Sequence, residues 1–138
     1  MAAFERKVMV RFGDCDPGGW VFYPRYFEMI SVVIEEWLSS GLGVSLPELM
    51  RDHETYTPSV HFDVDFPTPS RFGDALDFRL WVAKLGRSSC ELRIEASMNG
   101  QLRMRVRQVL VFMTPAERAK PIDEAMRLTM QQFTEADA

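Results

Sequence analysis

The chain has 138 residues, 46% of them hydrophobic and 26% charged, with 8 Gly, 8 Pro and 2 Cys. That describes one globular domain spanning residues 1–138, able to bury about 65–70% of the surface its unfolded form exposes, and excludes low-complexity and disulfide-scaffold classes. Sixteen Lys and Arg against twenty Asp and Glu leave a formal charge of −4, which argues against nucleic acid as a partner, because phosphate-backbone binders carry a basic surplus.

The opening MAAFERKVMVRF lacks the uninterrupted apolar core of a signal peptide, and no apolar run approaches the roughly eighteen residues of a membrane span. The expectation is a cytoplasmic protein with no membrane partner and two free thiols, Cys15 and Cys90. Lys7 to Phe12 alternates, with Val8, Val10 and Phe12 on one face, and predicts a half-buried strand ending at Gly13. A loop, Asp14-Cys15-Asp16-Pro17-Gly18-Gly19-Trp20, follows. Pro24 suits a first helical turn, where a missing N–H is harmless, and Phe27, Ile30, Ile34, Trp37 and Leu38 recur at helical spacing up to Gly41 and Gly43. Met29, Val32 and Val33 widen that apolar stripe, so most of the helix needs cover, which a wrapping sheet would supply. Ser45-Leu46-Pro47 opens a short capped helix.

Strands are predicted over Thr57–Phe66, Ala75–Val82, Ser89–Met98 and Leu102–Phe112, giving the order β-α-β-β-β-β. Asn99-Gly100 marks a hairpin between the last two. A two-residue turn there would align the apolar face Leu92, Ile94, Ala96, Met98 with the arginine face Arg103, Arg105, Arg107. A three-residue loop through Gln101 is therefore predicted, pairing Met98 with Leu102, Ala96 with Met104, Ile94 with Val106 and Glu95 with Arg105. It sets Arg93 opposite Arg107, with Glu91 placed diagonally to relieve them. The tail returns to helical spacing at Ile122, Ala125, Met126, Met130 and Phe133 and predicts a capping helix.

The loop before the long helix carries the chemistry. Calcium is rejected, since Asp14-Cys15-Asp16 lacks an oxygen ligand near Gly18 and has Arg25 where a glutamate is needed. Cys15 lies between two carboxylates that raise a thiol's pKa, which disfavours it as a nucleophile. Only two histidines, His53 and His61, are present to join a metal site, so no metal is expected. What remains is a carboxylate acting as base or nucleophile beside the positive end of a helix, where an unpaired N–H can hold a developing oxyanion. Because Pro24 has no N–H, the donor must be Tyr23 or a residue just before it. Gly18 and Gly19 leave the backbone open to a ligand. The plainer alternative is that Asp14 or Asp16 merely caps a turn.

The stretch from Phe12 to Tyr26, FGDCDPGGWVFYPRY, resembles the signature of the hotdog-fold acyl-CoA thioesterases, specifically the 4-hydroxybenzoyl-CoA thioesterase family, whose pattern is close to F-G-D-C-D-P-x-G-x-V-[WFY]-Y-P-x-Y. The resemblance implies an α+β hotdog fold, an antiparallel sheet wrapped around one long helix. It implies Asp16 as the catalytic carboxylate and the Tyr23 amide as the group that polarises the thioester carbonyl. It implies a homodimer as the minimal unit, assembled into a homotetramer, with active sites at the subunit interface. Coenzyme A belongs to the substrate and product, so no separate cofactor is implied. The turn Lys84–Ser89 stands where the family holds coenzyme A, which makes Arg87, Ser88 and Ser89 candidate phosphate contacts. Trp20, where smaller aliphatic residues are common, is a candidate to shorten or flatten the acyl pocket, with Gly19 beside it. His61, sharing a strand face with Asp63 and Asp65, is a candidate pocket wall facing the catalytic loop of a second copy.

The expected reaction is hydrolysis of an aromatic (benzoyl or hydroxybenzoyl) or short-chain acyl-CoA, with Asp16 as nucleophile or general base. Asp14 is expected to serve stability. The rivals are a non-catalytic acyl-CoA binding module and a hotdog acyl-thioester hydratase, the latter weakened because no histidine precedes His53.

Overall fold

A computed structural model of the chain describes residues 3–134, so the outer ends of the predicted domain, residues 1–2 and 135–138, lie outside the described residues. The elements are β1 (Phe4–Met9), a 3-10 turn (Phe12–Asp14), α1 (Pro24–Glu36) running into a π-helical turn (Trp37–Gly41), α2 (Leu46–Arg51), β2 (Ser59–Asp65), β3 (Ala75–Leu85), β4 (Ser89–Met98), β5 (Gln101–Val111) and α3 (Glu124–Met130). The strands form one antiparallel sheet in the order β1-β3-β4-β5-β2. Along the chain the elements follow the expected β-α-β-β-β-β order, with α2 and α3 at the predicted places. Ser45 caps α2 reciprocally with Glu48.

Period two decides which face of the sheet meets the helix. Leu76, Phe78 and Leu80 of β3, Leu92, Ile94 and Ala96 of β4, and Met104 and Val106 of β5 are all buried, against Tyr26, Met29, Ile30, Val33 and Ile34 of α1. Cover is one-sided within the chain. Of the apolar stripe, Met29, Ile30, Val33, Ile34, Trp37 and Leu38 are buried and Phe27 is half-buried, while Val32 stays 51% exposed. Ile122, Met126 and Met130 close the core from the tail, and Phe133 sets its ring edge-on to Phe4 and Trp37.

On the opposite face Glu91, only 5% exposed, lies between Arg93 at 3.0 Å and Arg107 at 3.1 Å, which resolves the Arg93–Arg107 pairing as expected. Burial alone would raise the Glu91 carboxyl, but hydrogen bonding from Arg93 and the charges of Arg107, Arg93 and Lys84 hold it below its ordinary range.

Two local predictions change. The first strand ends at Met9, because residues 12–14 tighten into the 3-10 turn, and Phe12 points out, 79% exposed. The β4–β5 hairpin keeps the two-residue turn that register arguments rejected: Asn99 and Gly100 both have positive φ, 50° and 78°, and Met98 faces Gln101. A bulge between Ala96 and Ser97 then absorbs Arg103 as an extra residue, and from there Ala96 pairs Met104, Glu95 pairs Arg105 and Ile94 pairs Val106, as predicted. β2 is an edge strand, exposed along nearly its whole length.

Candidate active site

Residues 14–16 run antiparallel to residues 20–22 as a miniature hairpin. The Phe22 N–H donates to the Asp14 carbonyl at 2.9 Å, Cys15 bridges Val21, and the Asp16 N–H donates to the Trp20 carbonyl at 2.8 Å. Gly19 makes the reversal possible with φ at +86°, a conformation that side chains resist. A Cβ there would meet open space, whereas one on Gly18 would sit 3.3 Å from both Asp16 Oδ1 and the Trp20 ring.

Asp16 organises this loop with one oxygen. Its Oδ1 accepts from the Gly18 N–H at 2.9 Å and the Trp20 N–H at 3.3 Å, while Oδ2 has no hydrogen-bond partner among the described residues. The amides can be counted along the chain. Gly18 and Trp20 are held by Asp16 Oδ1, Gly19 by the Asp16 carbonyl, Val21 by the Ser70 carbonyl and Phe22 by the Asp14 carbonyl. Tyr23, already helical at φ −52° and ψ −33°, precedes Pro24, and its N–H finds no acceptor among the described residues. The donor search, open at the sequence level between Tyr23 and its predecessors, thus narrows to one N–H at the positive end of α1.

Asp14 does different work. Its Oδ2 accepts from the Arg11 N–H at 2.9 Å and closes the 3-10 turn. Cys15 has its thiol pKa raised by burial and by Asp14, Asp16 and Asp74, so it stays protonated. Cys90 is pushed up to about 12 by burial. Neither thiol is in a disulfide.

Behind the hairpin stands the β2–β3 connection, which the sequence reading passed over. The Phe72 N–H donates to the Gly19 carbonyl and the buried Ser70 N–H to the Tyr26 hydroxyl at 3.2 Å. Arg103, the bulge residue, reaches back to Asp74 at 2.7 Å and to the Ser70 hydroxyl at 3.3 Å, its side chain only 11% exposed. Arg103 therefore does not share the open arginine face of Arg105 and Arg107. Burial alone would raise the Asp74 carboxyl, but the Arg71 N–H and the Arg103 guanidinium outweigh it and hold it below its ordinary value. Pro67, Pro69 and Gly73 are the residues that could have identified this segment as a loop, but nothing local points to Arg103 as its anchor.

Trp20 is half-buried under the Arg71 guanidinium, 4.0 Å from its ring centroid. His61 is exposed on β2 and pairs with Asp63 at 3.1 Å, which also takes Arg107; these two hydrogen bonds hold Asp63 below its ordinary carboxyl value. Among the described residues His61 makes no side-chain hydrogen bond or ion pair to the Asp16 loop of its own chain. Arg87 and Ser88 lie in the β3–β4 turn and Ser89 opens β4; the turn's backbone is tied down by Arg127, Ile122 and Phe112 while the Arg87 side chain is exposed. The Asp16 side of the molecule is open: Asp16 is exposed, and Phe12, Phe22, Tyr23 and Phe72 are 79%, 49%, 66% and 58% exposed.

The family model described as the thioesterase-like superfamily matches residues 10–130. The chain is 30% identical over 122 residues to a 1,4-dihydroxy-2-naphthoyl-CoA hydrolase of Synechocystis, covering 87% of this chain and 88% of that protein. It is 26% identical over 121 residues to a 4-hydroxybenzoyl-CoA thioesterase of Pseudomonas, covering 83% and 86%. Its fold superposes on the crystal structure of a Synechocystis 1,4-dihydroxy-2-naphthoyl-CoA thioesterase with a TM-score of 0.85, at 24% identity and covering 94% and 96% of the two chains.

Proposed function

The chain belongs to the thioesterase-like superfamily, and from that premise we propose that it hydrolyses the thioester of an aromatic acyl-CoA with Asp16 and the Tyr23 amide as its catalytic groups. The observation that carries this reading is the amide count. From Gly18 to Phe22 every N–H is spoken for, and the one left over, at Tyr23, stands at the positive end of α1, a few residues from a carboxylate with one oxygen unengaged.

In this reading the substrate carbonyl oxygen accepts from the Tyr23 N–H, and the helix dipole favours the negative charge that develops there. The free Asp16 oxygen then acts in one of two ways. It attacks the carbonyl carbon, expelling the CoA thiolate and leaving an anhydride that water opens, or it takes a proton from a water that attacks instead. Either route adds one water, breaks the C–S bond, and ends with a free acid and CoA bearing the thiol proton. The Asp16 oxygen bound to Gly18 and Trp20 fixes the carboxylate's aim in both.

The substrate range rests on the named relatives, both hydrolases of aryl-CoA esters. Arg87 with Ser88 and Ser89 offers a cation and two hydroxyls to CoA phosphates. The unpaired β2 edge, with Val60 at 60% and Phe62 at 40% exposure, supports pairing of two copies through that strand. Among the described residues no helix is long and apolar enough to cross a membrane, and a cytoplasmic setting suits two free thiols. A hydratase reading is disfavoured, since His61 pairs with Asp63 and the His53 carbonyl accepts from Lys120, both outside the loop.

Asp16→Asn keeps the acceptor for Gly18 and Trp20 but removes the base or nucleophile. Thiol release from CoA esters should fall by about a hundredfold or more in kcat, with KM changed far less. Wild-type turnover by that variant on every thioester the native protein cleaves would refute the assignment.

A further inference from the structure

Two buried side-chain polar atoms have no hydrogen-bond partner among the described residues, the Trp37 indole N–H and the Gln108 amide oxygen. The indole is packed against Gly41 and the Phe133 ring. Gln108 is different, because it lines a cleft of about 280 Å³ between α1 and the β5–β2 edge of the sheet.

Gln108 is 2% exposed and lies in the stripe Met104, Val106, Leu110 that faces α1. Its partners across the sheet are Leu92 and Phe62. The Gln108 Nε2 donates to the Ser59 hydroxyl at 2.8 Å, which uses the donor half of the amide and leaves Oε1 over. An apolar side chain of similar size would fill the same space without stranding an acceptor away from water. The amide makes physical sense if a donor arrives from the cleft.

The helix wall of the cleft is Phe27, Ile30, Ile34 and Leu38, one face by their spacing, with the exposed Ser31 and Glu35 beside them, and Tyr23 lies one turn before Phe27 on the apolar face. An acyl group whose carbonyl meets the Tyr23 N–H would run from there along the Phe27 and Ile30 side of α1 toward the cleft, which Tyr23 and Asp16 do not themselves line. Its volume sits at the small end of ligand sites, which suits a compact, flat acyl body better than a long chain.

We infer that Gln108 is a specificity-determining residue: its amide oxygen accepts a hydrogen bond from a hydroxyl on a flat, otherwise apolar acyl group, and Ser59 holds the amide in that orientation. This rests on the thioesterase reading above and adds the feature of the acyl group that the enzyme selects.

The test is thiol release by the full-length protein from benzoyl-CoA, its 2-, 3- and 4-hydroxy derivatives, and the matching methoxy esters, which keep the oxygen but cannot donate. At least one hydroxy ester should exceed both benzoyl-CoA and its methoxy counterpart by about tenfold or more in kcat/KM. In Gln108→Met that preference should shrink to about twofold, mainly through loss on the hydroxy ester. Ser59→Ala, which keeps Gln108 but releases its amide, should give an intermediate preference, and it carries the test if Gln108→Met does not fold. Equal kcat/KM for hydroxy and methoxy esters in the wild type, or an unaltered preference in the folded variants, overturns the inference. So does a Gln108→Met protein whose dimerisation changes while its preference does not, which would assign the free acceptor to a second copy of the chain. Cleavage of aliphatic CoA esters alone defeats this inference and leaves the thioesterase reading standing, whereas no thiol release from any CoA ester defeats both.

Discussion

The Asp16 loop and the β3–β4 turn are both glycine-containing reversals with candidate functional residues, yet they are built in opposite ways. Between Asp14 and Phe22 the loop is tied mostly to itself, through Asp16 Oδ1 and the hairpin carbonyls. The turn is tied to distant chain: Arg127 donates to the Gly86 carbonyl at 2.6 Å and the Arg87 carbonyl at 3.2 Å, Ile122 N–H to the Arg87 carbonyl, and Phe112 N–H to the Ser88 carbonyl. Self-tying fixes a carboxylate and one amide in register, as bond-making chemistry requires. Distant tying spends the carbonyls on the fold and leaves the Arg87 cation exposed beside two half-buried serines, which suits holding a charged, solvated handle.

The comparison breaks first at Arg103, which anchors the β2–β3 connection on which the Asp16 loop leans through Ser70, Arg71 and Phe72. Removing one partner of a largely buried ion pair strands the other, so Arg103→Ala should cost about 2–3 kcal/mol in urea unfolding. It should also lower kcat, because Ser70, which Arg103 holds, accepts from Val21 inside the loop. Arg103→Lys should restore part of both. A variant as stable and active as wild type would mean that the loop stands without its buttress.

The same pair predicts an acid response. Asp74 has its carboxyl held low in the folded chain, so its contribution is complete above the ordinary carboxyl pKa and is lost as pH falls through the lowered folded value. Glu91 and Asp63 act in the same direction. Stability of the wild type should therefore decline on acidification below the ordinary carboxylate range. In Arg103→Ala the decline should be shallower, since the low Asp74 pKa has lost one of its causes; parallel curves for the two proteins would remove Asp74 from the account.

What the sequence made legible follows the same division between near and far. Asp16, the helix start at Pro24 and the amide at Tyr23 are consequences of neighbours a few residues apart, and pattern alone reached them. The order of elements along the chain was legible from periodicity, and the interior pairing of β4 with β5 because shifting the register would have turned a whole apolar face to water. Arg103 was misread because plain alternation set it beside Arg105 and Arg107, and the bulge that re-aims it becomes necessary only once the Asn99-Gly100 turn takes its preferred two-residue form. Phe12 was misread because the strand pattern ran on through a segment that Asp14 instead closes into a 3-10 turn. The free oxygen of Gln108 had no sequence signal beyond a polar residue in an apolar stripe.

Asp14 and Asp16 sharpen the comparison within the loop itself. Asp14→Ala removes the acceptor of the Arg11 N–H and should cost about 1 kcal/mol, the usual worth of such a cap, read as a lowered urea midpoint. Its kcat should stay within a few-fold of wild type, in contrast to the loss expected of Asp16→Asn. If Asp14→Ala loses turnover as Asp16→Asn does while remaining folded, the two acids do not divide the work in this way.

The smallest effect belongs to the turn. Arg87 is exposed, so a contact between its guanidinium and a CoA phosphate is made in high dielectric and screened by salt. Arg87→Ala should raise KM for CoA esters about three- to tenfold at low ionic strength, and more than it lowers kcat. The difference from wild type should narrow as salt is added, because screening weakens the wild-type contact while the variant has none to lose. A truncated pantetheine thioester, which lacks the nucleotide phosphates, should show no such difference between the two proteins. Equal sensitivity with full CoA and pantetheine esters would place the Arg87 effect on the acyl end or on folding, and the turn would then be only a well-anchored connection between β3 and β4.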